Sequence, residues 1–206
     1  MSLFVTLEGP DGSGKSTQIG RLAARLGEMG IGYVTTREPG GTPISDQIRA
    51  LLLDPQNKAM VAKTEALLYA ASRAQHVAEV VRPALARGEV VLCDRYIDAS
   101  IAYQATGLGL SIDYVRRLNE EATDGLWPHR TYLIDVPCEL GIARAAKARG
   151  GGLDRIEQRD FTYHQRVREQ FLLLAKEQPE RFCLIDGTKS LAEVTEAIWE
   201  DLSRFL

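Results

Sequence analysis

Five short apolar runs recur along the chain, and longer segments with helical periodicity separate them. The runs cover residues 3–7, 33–36, 90–93, 132–136 and 182–185. Strands that alternate with helices along a chain form a parallel sheet that the helices cover. The pattern therefore predicts an α/β fold with a parallel five-stranded sheet wrapped by helices.

The clearest helical signal lies near the C-terminus. Ser190 and Glu193 have the spacing of a capping box. Apolar residues then recur at steps of three and four, at Leu191, Val194, Ile198, Leu202 and Phe205. This spacing predicts a helix that begins after Ser190 and packs this stripe into the core.

Acidic side chains fall at or beside the ends of four predicted strands, at Glu8, Glu38, Asp94 and Asp135. Parallel strands place their carboxyl ends at one edge of the sheet, where ligands usually bind. We therefore expect the functional site at this edge.

The composition favours one globular domain over residues 1–206, because 45% of the chain is hydrophobic and 26% is charged. The formal net charge is −3. This charge argues against a surface that is basic throughout, so binding of phosphate must depend on local clusters of arginine.

The three cysteines, Cys93, Cys138 and Cys183, are far apart. Their spacing gives neither a disulfide framework nor a paired metal site, and we expect Cys93 and Cys183 to be core thiols. The N-terminus lacks a basic region followed by a long apolar stretch, and no run approaches the roughly 18 residues of a membrane span. We expect a cytoplasmic protein.

Residues 9–16 read GPDGSGKS and follow the first predicted strand. They fit G-x-x-x-x-G-K-[ST], in which backbone N–H groups surround phosphate and the lysine reaches the outer phosphates. Lys15 would contact those phosphates, and the hydroxyl of Ser16 would bind Mg²⁺. The residues predicted to bind the ATP phosphates are Gly9, Pro10, Asp11, Gly12, Ser13, Gly14, Lys15, Ser16 and Thr17.

ATP is favoured over GTP as the nucleotide. A GTPase normally carries an Asn-Lys-x-Asp motif that reads guanine, but the only candidate, residues 57–60, reads NKAM. The missing aspartate argues against guanine specificity.

A second anion site is predicted beside the phosphate loop. Arg37 and Arg95 follow the second and third strands, and Tyr69 and Arg73 lie four residues apart on a helix. Ser100, Tyr103 and Gln104 share another helical face. Each residue has an ordinary alternative role, such as a surface ion pair or core packing. Their common position at one sheet edge favours a site for a second substrate.

Several segments together resemble bacterial thymidylate kinases, which are P-loop nucleoside monophosphate kinases. They are GPDGSGKST, TREPGGT, LLYAASRAQH, VVLCDRYIDASIAYQ and LDRIEQ. Adenylate and guanylate kinases share the loop but lack TREPGG and the DRY segment followed by AYQ. The resemblance implies transfer of the terminal phosphoryl group of MgATP to dTMP, which gives dTDP and ADP for dTTP synthesis. It also implies a homodimer, with no nucleic acid or membrane partner.

The resemblance also assigns roles to particular residues. Tyr69 matches an aromatic residue that stacks on thymine, and Asp94 is expected to reach Mg²⁺ through a water. The residues implied to bind dTMP are Glu38, Arg49, Tyr69, Arg73, Arg95, Ser100, Tyr103 and Gln104.

Asp11 places a carboxylate inside a loop that binds phosphates. We expect it to face the acceptor, where it accepts a hydrogen bond from the 3′-hydroxyl of dTMP or holds a water on Mg²⁺. Some relatives have an arginine at the next position, whereas this chain has Gly12. In a variant without Arg149, an arginine introduced at Gly12 is expected to restore the charge and to recover part of the lost rate.

The missing charge is expected from a short mobile lid at about residues 144–157, around three consecutive glycines. The segment carries four basic residues, Arg144, Lys147, Arg149 and Arg155. Arg149 best matches the lid arginine of the bacterial enzymes. The predicted catalytic residues are thus Lys15, Arg95, Arg149 and Asp11.

Two other functions stay open from the sequence. One is a kinase of the same fold that uses dUMP or a deoxynucleoside as its acceptor. The other is a protein that binds ATP to regulate a partner, and basal ATP hydrolysis unaffected by dTMP would favour it.

Overall fold

The computed structural model describes residues 2–149, 152 and 154–206, with Ala148 and Arg149 described by their backbone alone. Its strands are β1 (Leu3–Glu8), β2 (Tyr33–Arg37), β3 (Val90–Asp94), β4 (Arg130–Asp135) and β5 (Phe182–Asp186). They form one parallel sheet in the order β2-β3-β1-β4-β5. The predicted fold class is confirmed.

The helices follow the strands in the order that the apolar pattern predicts. They are α1 (Lys15–Glu28), α2 (Pro43–Leu53), α3 (Ala62–His76), α4 (Arg82–Ala86), α5 (Ile97–Ser100), α6 (Ile112–Thr123), α7 (Cys138–Arg149), α8 (Phe161–Glu177) and α9 (Leu191–Leu202). Wider π-helical turns at Val77–Val81 and Ile101–Gly107 continue α3 and α5. Such turns displace side chains from ordinary helical positions and often occur at functional sites.

Both faces of the central strand β1 are buried. Val5 and Leu7 pack in a core with apolar residues of α1 and α9, whereas Phe4 packs in a second core with residues of α8 and the π-helical turns. A strand buried on both faces reads as a continuous apolar run, as residues 3–7 do. The loop that follows β1 therefore leaves from the buried centre of the sheet.

The predicted C-terminal helix is confirmed as α9, and Ser190 with Glu193 forms its capping box. The predicted apolar stripe is only partly correct. Val194, Ile198 and Leu202 are buried, but Leu191 is 50% exposed and Phe205 is 38% exposed. Leu191 begins the helix, and Phe205 lies in the 3₁₀ turn after its end, so neither faces the sheet.

Cys93 is buried in the central strand β3, as expected. The expectation for Cys183 is only partly correct: this residue packs against the core, but it lies on the edge strand β5 and is half-buried. No helix among the described residues is long and apolar enough to cross a membrane.

Candidate active site

Three chain segments meet at the carboxyl edge of the sheet. β1 leads into the glycine-rich loop before α1, β2 leads into Glu38, and β3 leads into Arg95. β1 is the central strand, with β3 on one side and β4 on the other, so neighbouring strands flank this loop on both sides. This is the position at which open α/β sheets bind their ligands.

The glycine-rich loop takes backbone angles that favour glycine. Gly9, Gly12 and Gly14 have φ of 138°, 73° and 97°. Gly14 is the N-cap of α1, so the free N–H groups and positive dipole of this helix end lie beside the loop. Lys15 begins the helix, and its Nζ donates to the carbonyl oxygens of Gly9 at 3.1 Å and Pro10 at 2.9 Å.

Burial, assisted by the positive charge of Arg95, lowers the pKa of Lys15 to about 8. The side chain is only 6% exposed. A cation in such a place gains from an approaching anion, because phosphate would replace the hydration that the ammonium has lost.

Ser16 and Asp94 bring two oxygen ligands together at the start of α1. Ser16 Oγ donates to Asp94 Oδ2 at 2.5 Å. Within the described part of the chain, no cluster of three or more His, Cys, Asp or Glu side chains could hold a metal ion. One hydroxyl beside one carboxylate fits Mg²⁺, which usually keeps several waters and takes further ligands from substrate phosphates.

Arg95 adopts a left-handed backbone conformation, with φ of 71°, which costs a residue with a side chain about 1 kcal/mol or more. Two hydrogen bonds hold this turn: Arg95 N donates to Leu7 O at 3.0 Å, and Tyr96 N donates to Glu8 Oε1 at 2.7 Å. The turn sends the guanidinium back over the loop, where it donates to Gly9 O at 3.0 Å.

Asp11 is held by two donors from the acceptor side. Arg95 donates to Oδ1 at 2.7 Å, and the hydroxyl of Tyr103 donates to Oδ2 at 3.2 Å. Burial alone would raise the pKa of Asp11, but the charges of Arg95 and Lys15 outweigh burial and hold the pKa below its usual value. The carboxylate therefore stays ionised between the two basic side chains.

Two cavities open at this edge of the sheet. The first, which we call the phosphate cavity after its predicted ligand, is lined by Lys15, Ser16 and Thr17 together with Arg37 and Arg144. The acceptor cavity lies beside it and includes six of the eight residues predicted to bind dTMP, namely Glu38, Arg49, Tyr69, Arg95, Tyr103 and Gln104. Four residues line both cavities, namely Asp11, Glu38, Arg49 and Arg95.

Arg73 and Ser100, the other two predicted residues, do not line the acceptor cavity. Arg73 is 1% exposed, and it donates to Glu38 Oε2 at 2.6 Å, Ser100 Oγ at 3.0 Å and Tyr96 O at 2.9 Å. It also donates to Asn119. Arg73 and Ser100 therefore form a layer behind the cavity wall.

His76 completes the support of Glu38 and was missed from the sequence. Its Nδ1 lies 2.8 Å from Glu38 Oε1, and its Nε2 lies 2.7 Å from Thr36 Oγ1. Glu38 is thus fixed by Arg73 on one oxygen and by His76 on the other. The helical spacing in the sequence could have revealed His76, since Tyr69, Arg73 and His76 recur at steps of four and three on α3.

Arg155 does not belong with the basic groups of the predicted lid. It is 8% exposed, and it donates to Leu52 O at 2.7 Å and Glu65 Oε2 at 2.8 Å. The expectation that Arg155 reaches phosphate is wrong, because these buried partners hold its guanidinium elsewhere. Arg144 does line the phosphate cavity and donates to Gly187 O at 2.9 Å. The side chain of Arg149 lies outside the described part of the structure.

Gly12 packs against the backbone of α7. A Cβ at Gly12 would lie 2.1 Å from the carbonyl oxygen of Gly141, and its φ is 73°. A Cβ at Gly141 would lie 2.6 Å from the carbonyl oxygen of Asp11. The expectation that an arginine at Gly12 could restore the charge is therefore wrong, because any side chain there would push α7 away from the loop.

A buried charge cluster was also missed from the sequence. Glu65 accepts from Gln104, Arg155 and Arg159 and is fully buried. Its two arginine partners lie 90 and 94 positions away in the chain. No local pattern connects residues at such a distance.

A parallel sheet with a phosphate loop after its central strand and an acceptor cavity beside that loop defines a P-loop nucleotide kinase. Residues 7–198 match the family model described as thymidylate kinase. A thymidylate kinase of Exiguobacterium sibiricum is 51% identical over 98% of this chain and 95% of that protein. One of Deinococcus radiodurans is 51% identical over 98% and 96%. The crystal structure of thymidylate kinase from Ehrlichia chaffeensis has a TM-score of 0.80 and 33% identity and covers 98% of both chains. The chain belongs to the thymidylate kinase family.

Proposed function

We propose that the two cavities hold ATP and dTMP, and that the terminal phosphoryl group passes between them where they meet. The chain is a dTMP kinase by its family, so the products are dTDP and ADP. One observation carries the assignment of the site: Asp11, Glu38, Arg49 and Arg95 line both cavities. A phosphoryl group can cross such a junction without leaving the enzyme.

The donor side is formed by the glycine-rich loop and the start of α1. Backbone N–H groups of the loop bind the phosphates of ATP, and Lys15 neutralises the outer ones. Ser16 would bind Mg²⁺, and Asp94, which accepts from Ser16 Oγ, would orient Ser16 and a water of the ion. Mg²⁺ bound there would neutralise charge on the phosphate oxygens during transfer.

On the acceptor side, the base enters the cavity and the phosphate faces the junction. Tyr69 stacks on thymine, and Arg49 and Arg95 bind the phosphate of dTMP. Asp11 accepts a hydrogen bond from the sugar 3′-hydroxyl, and Tyr103 lies beside it near the 2′ position. Arg73 and Ser100 act through Glu38 and the turn at Tyr96, because they lie behind the wall.

The transfer step depends on positions and charges. A phosphate oxygen of dTMP is already anionic, so the attack needs no strong base; it needs alignment with the leaving group and neutralisation of the transferred group. Arg95 and Lys15 supply part of this charge. We propose that Arg149 supplies the rest from a lid at about residues 144–157 and that residues 1–206 act as one domain.

A cytoplasmic homodimer is our proposal for the working form of the enzyme. Leu51 of α2 and Leu67 of α3 are 46% and 47% exposed, and the two helices pack together. Val61, the N-cap residue of α3, is 62% exposed. A second copy of the chain would cover these side chains. Light scattering at micromolar protein should give twice the mass of the chain.

Release of ADP tests the activity directly. With MgATP and dTMP, ADP and dTDP should form in equal amounts; without dTMP, little ADP should form. Thymidine in place of dTMP should give no product, because it lacks the phosphate that Arg49 and Arg95 bind. ADP release that does not depend on dTMP would instead support an ATP-dependent regulator.

A further inference from the structure

We propose that Glu65 determines which pyrimidine the enzyme accepts. It does so by fixing the amide of Gln104 with its carbonyl oxygen towards the base, which selects a pyrimidine that carries a hydrogen on N3. This inference rests on the proposed placement of dTMP in the acceptor cavity. Glu65 does not line the cavity and is a positioning residue that acts through Gln104.

The amide of Gln104 has one end engaged and one end available. Gln104 lies on the π-helical turn Ile101–Gly107, lines the acceptor cavity and is 1% exposed. Its Nε2 donates to Glu65 Oε1 at 3.0 Å. Its Oε1 accepts no hydrogen bond from any residue in the described part of the chain. The oxygen is thus the end left for a ligand.

The charge of Glu65, and not the shape of the site, fixes the orientation of the Gln104 amide. The oxygen and nitrogen of an amide have nearly the same size, so packing alone would allow either to face the cavity. Glu65 Oε2 accepts from Arg155 at 2.8 Å and from Arg159 at 2.5 Å. A carboxylate between two guanidiniums has no proton to donate, so it accepts only. Rotation of the amide would place two oxygens in contact in a buried site.

An acceptor at this position distinguishes the pyrimidine bases. Thymine and uracil carry a hydrogen on N3 between two carbonyl groups, whereas N3 of cytosine is an acceptor beside an amino group. The oxygen of Gln104 would accept from the first two bases and oppose the lone pair of the third. A site built for one hydrogen bond rejects an analogue that leaves its group unpaired. Glu65 would therefore select dTMP and dUMP over dCMP and would not separate dTMP from dUMP.

Glu65→Gln tests this assignment with a change of almost no volume. The two guanidiniums would bind the new carbonyl oxygen, which leaves an NH₂ group towards Gln104. Gln104 would then rotate and present its own NH₂ to the base. The ratio of kcat/KM for dTMP to that for dCMP should fall about tenfold or more, and the dTMP to dUMP ratio should stay within about twofold. An unchanged dTMP to dCMP ratio in a folded variant contradicts the proposal.

Three further variants separate the possible causes of a changed dTMP to dCMP ratio. Asp201→Asn makes the same change in a carboxylate bound by Arg130 and Tyr132 at the other edge of the sheet, and it should leave both ratios unchanged. Gln104→Met should lower the dTMP to dCMP ratio. Adding Glu65→Gln to Gln104→Met should change the ratio no further, and a further change would mean that Glu65 acts by another route.

The outcomes for Gln104 and Glu65 are distinguishable. A normal ratio in Gln104→Met would remove Gln104 from the proposed base site. A lowered ratio in Gln104→Met with a normal ratio in Glu65→Gln would overturn the role of Glu65 alone. If Glu65→Gln does not fold, neutron diffraction of the unaltered enzyme with dTMP can determine the orientation of the Gln104 amide. Deuterons of the Gln104 amide should point at Glu65, and deuterons that point at the base would overturn the inference.

Discussion

Asp11 places a carboxylate inside the loop for which we propose phosphate binding. Its two oxygens accept from Arg95 and Tyr103, so the negative charge faces the acceptor cavity and is balanced there. Arg95 in turn depends on a strained turn that β1 and Glu8 hold in place. The charge pattern of the junction is therefore built into the protein before either substrate binds.

Arg95→Ala and Lys15→Ala should each lower kcat about a hundredfold to a thousandfold, because each removes a cation from the phosphate junction, worth about 3 to 4 kcal/mol of barrier. Arg87→Ala is the matched control, since Arg87 is exposed and pairs with Glu89 away from the site. Circular dichroism should show intact folds. Normal kcat in either site variant would remove that residue from the mechanism.

Glu8 should make stability depend on pH. Burial, with a contribution from the charge of Asp98, raises the pKa of Glu8 to about 8. The folded protein then binds more protons than the unfolded chain between the usual pKa of about 4.5 and about 8, so the contribution of Glu8 to stability is lost as pH rises through this range.

Glu8→Gln should remove this dependence, because the amide oxygen can still accept from Tyr96 N and carries no charge. The free energy of unfolding of the variant relative to the parent should rise with pH, at up to about 1.4 kcal/mol per pH unit between pH 5 and 8. Urea unfolding of both proteins at several pH values measures the difference. A constant difference across that range would show that Glu8 is ionised throughout.

At the scale of elements, the apolar pattern predicted all five strands within about two residues at each end. β4 begins earlier than expected because Arg130 and Thr131 pair with Val5 and Thr6 of β1, which periodicity in one segment cannot reveal. The π-helical turn at Ile101–Gly107 was not foreseen either. That turn places Tyr103 and Gln104 on the cavity wall, while Ser100 lies behind it.

The contact between the phosphate loop and α7 depends on Gly141. Gly141→Ala places a Cβ 2.6 Å from the carbonyl oxygen of Asp11, so either the loop or the helix must move. We expect a loss of about 1 to 3 kcal/mol in stability, together with a fall in kcat.

Gly20→Ala on α1 is the matched control, because nothing lies within 4 Å of its Cβ position. It should stabilise the protein by roughly 0.5 to 1 kcal/mol. Equal effects of the two variants would contradict close packing of α7 on the loop.

The proposed lid, at about residues 144–157, begins within α7, and its role can be tested at Arg149. Arg149→Ala should lower kcat about a thousandfold or more and change the KM for dTMP little, because the interaction forms mainly in the transition state. Arg144→Ala is the comparison, since Arg144 lines the phosphate cavity. If Arg149→Ala keeps more than about a third of the parent kcat, the role passes to Arg144.

At the scale of the whole molecule, the sequence predicted the edge of the sheet at which the two cavities open and most of the residues that line them. Local motifs sufficed for the phosphate loop because its residues are consecutive. Local motifs could not show that Arg73 and Arg155 pair with buried carboxylates, because an arginine looks the same in a sequence whether it binds a ligand or a carboxylate. Glu38 and Glu65 decide these two cases, and both pairings join segments far apart in the chain.

The most direct test of the joined cavities is a comparison of initial rates for dTMP, dUMP, dCMP, dGMP and AMP at saturating MgATP. If dTMP binds in the acceptor cavity, which Tyr69, Tyr103 and Gln104 line, kcat/KM should be highest for dTMP, lower for dUMP, much lower for dCMP and almost zero for the purine nucleotides. A purine nucleotide used as well as dTMP, or equal rates with all five, would contradict the assignment of this cavity as a thymidylate site.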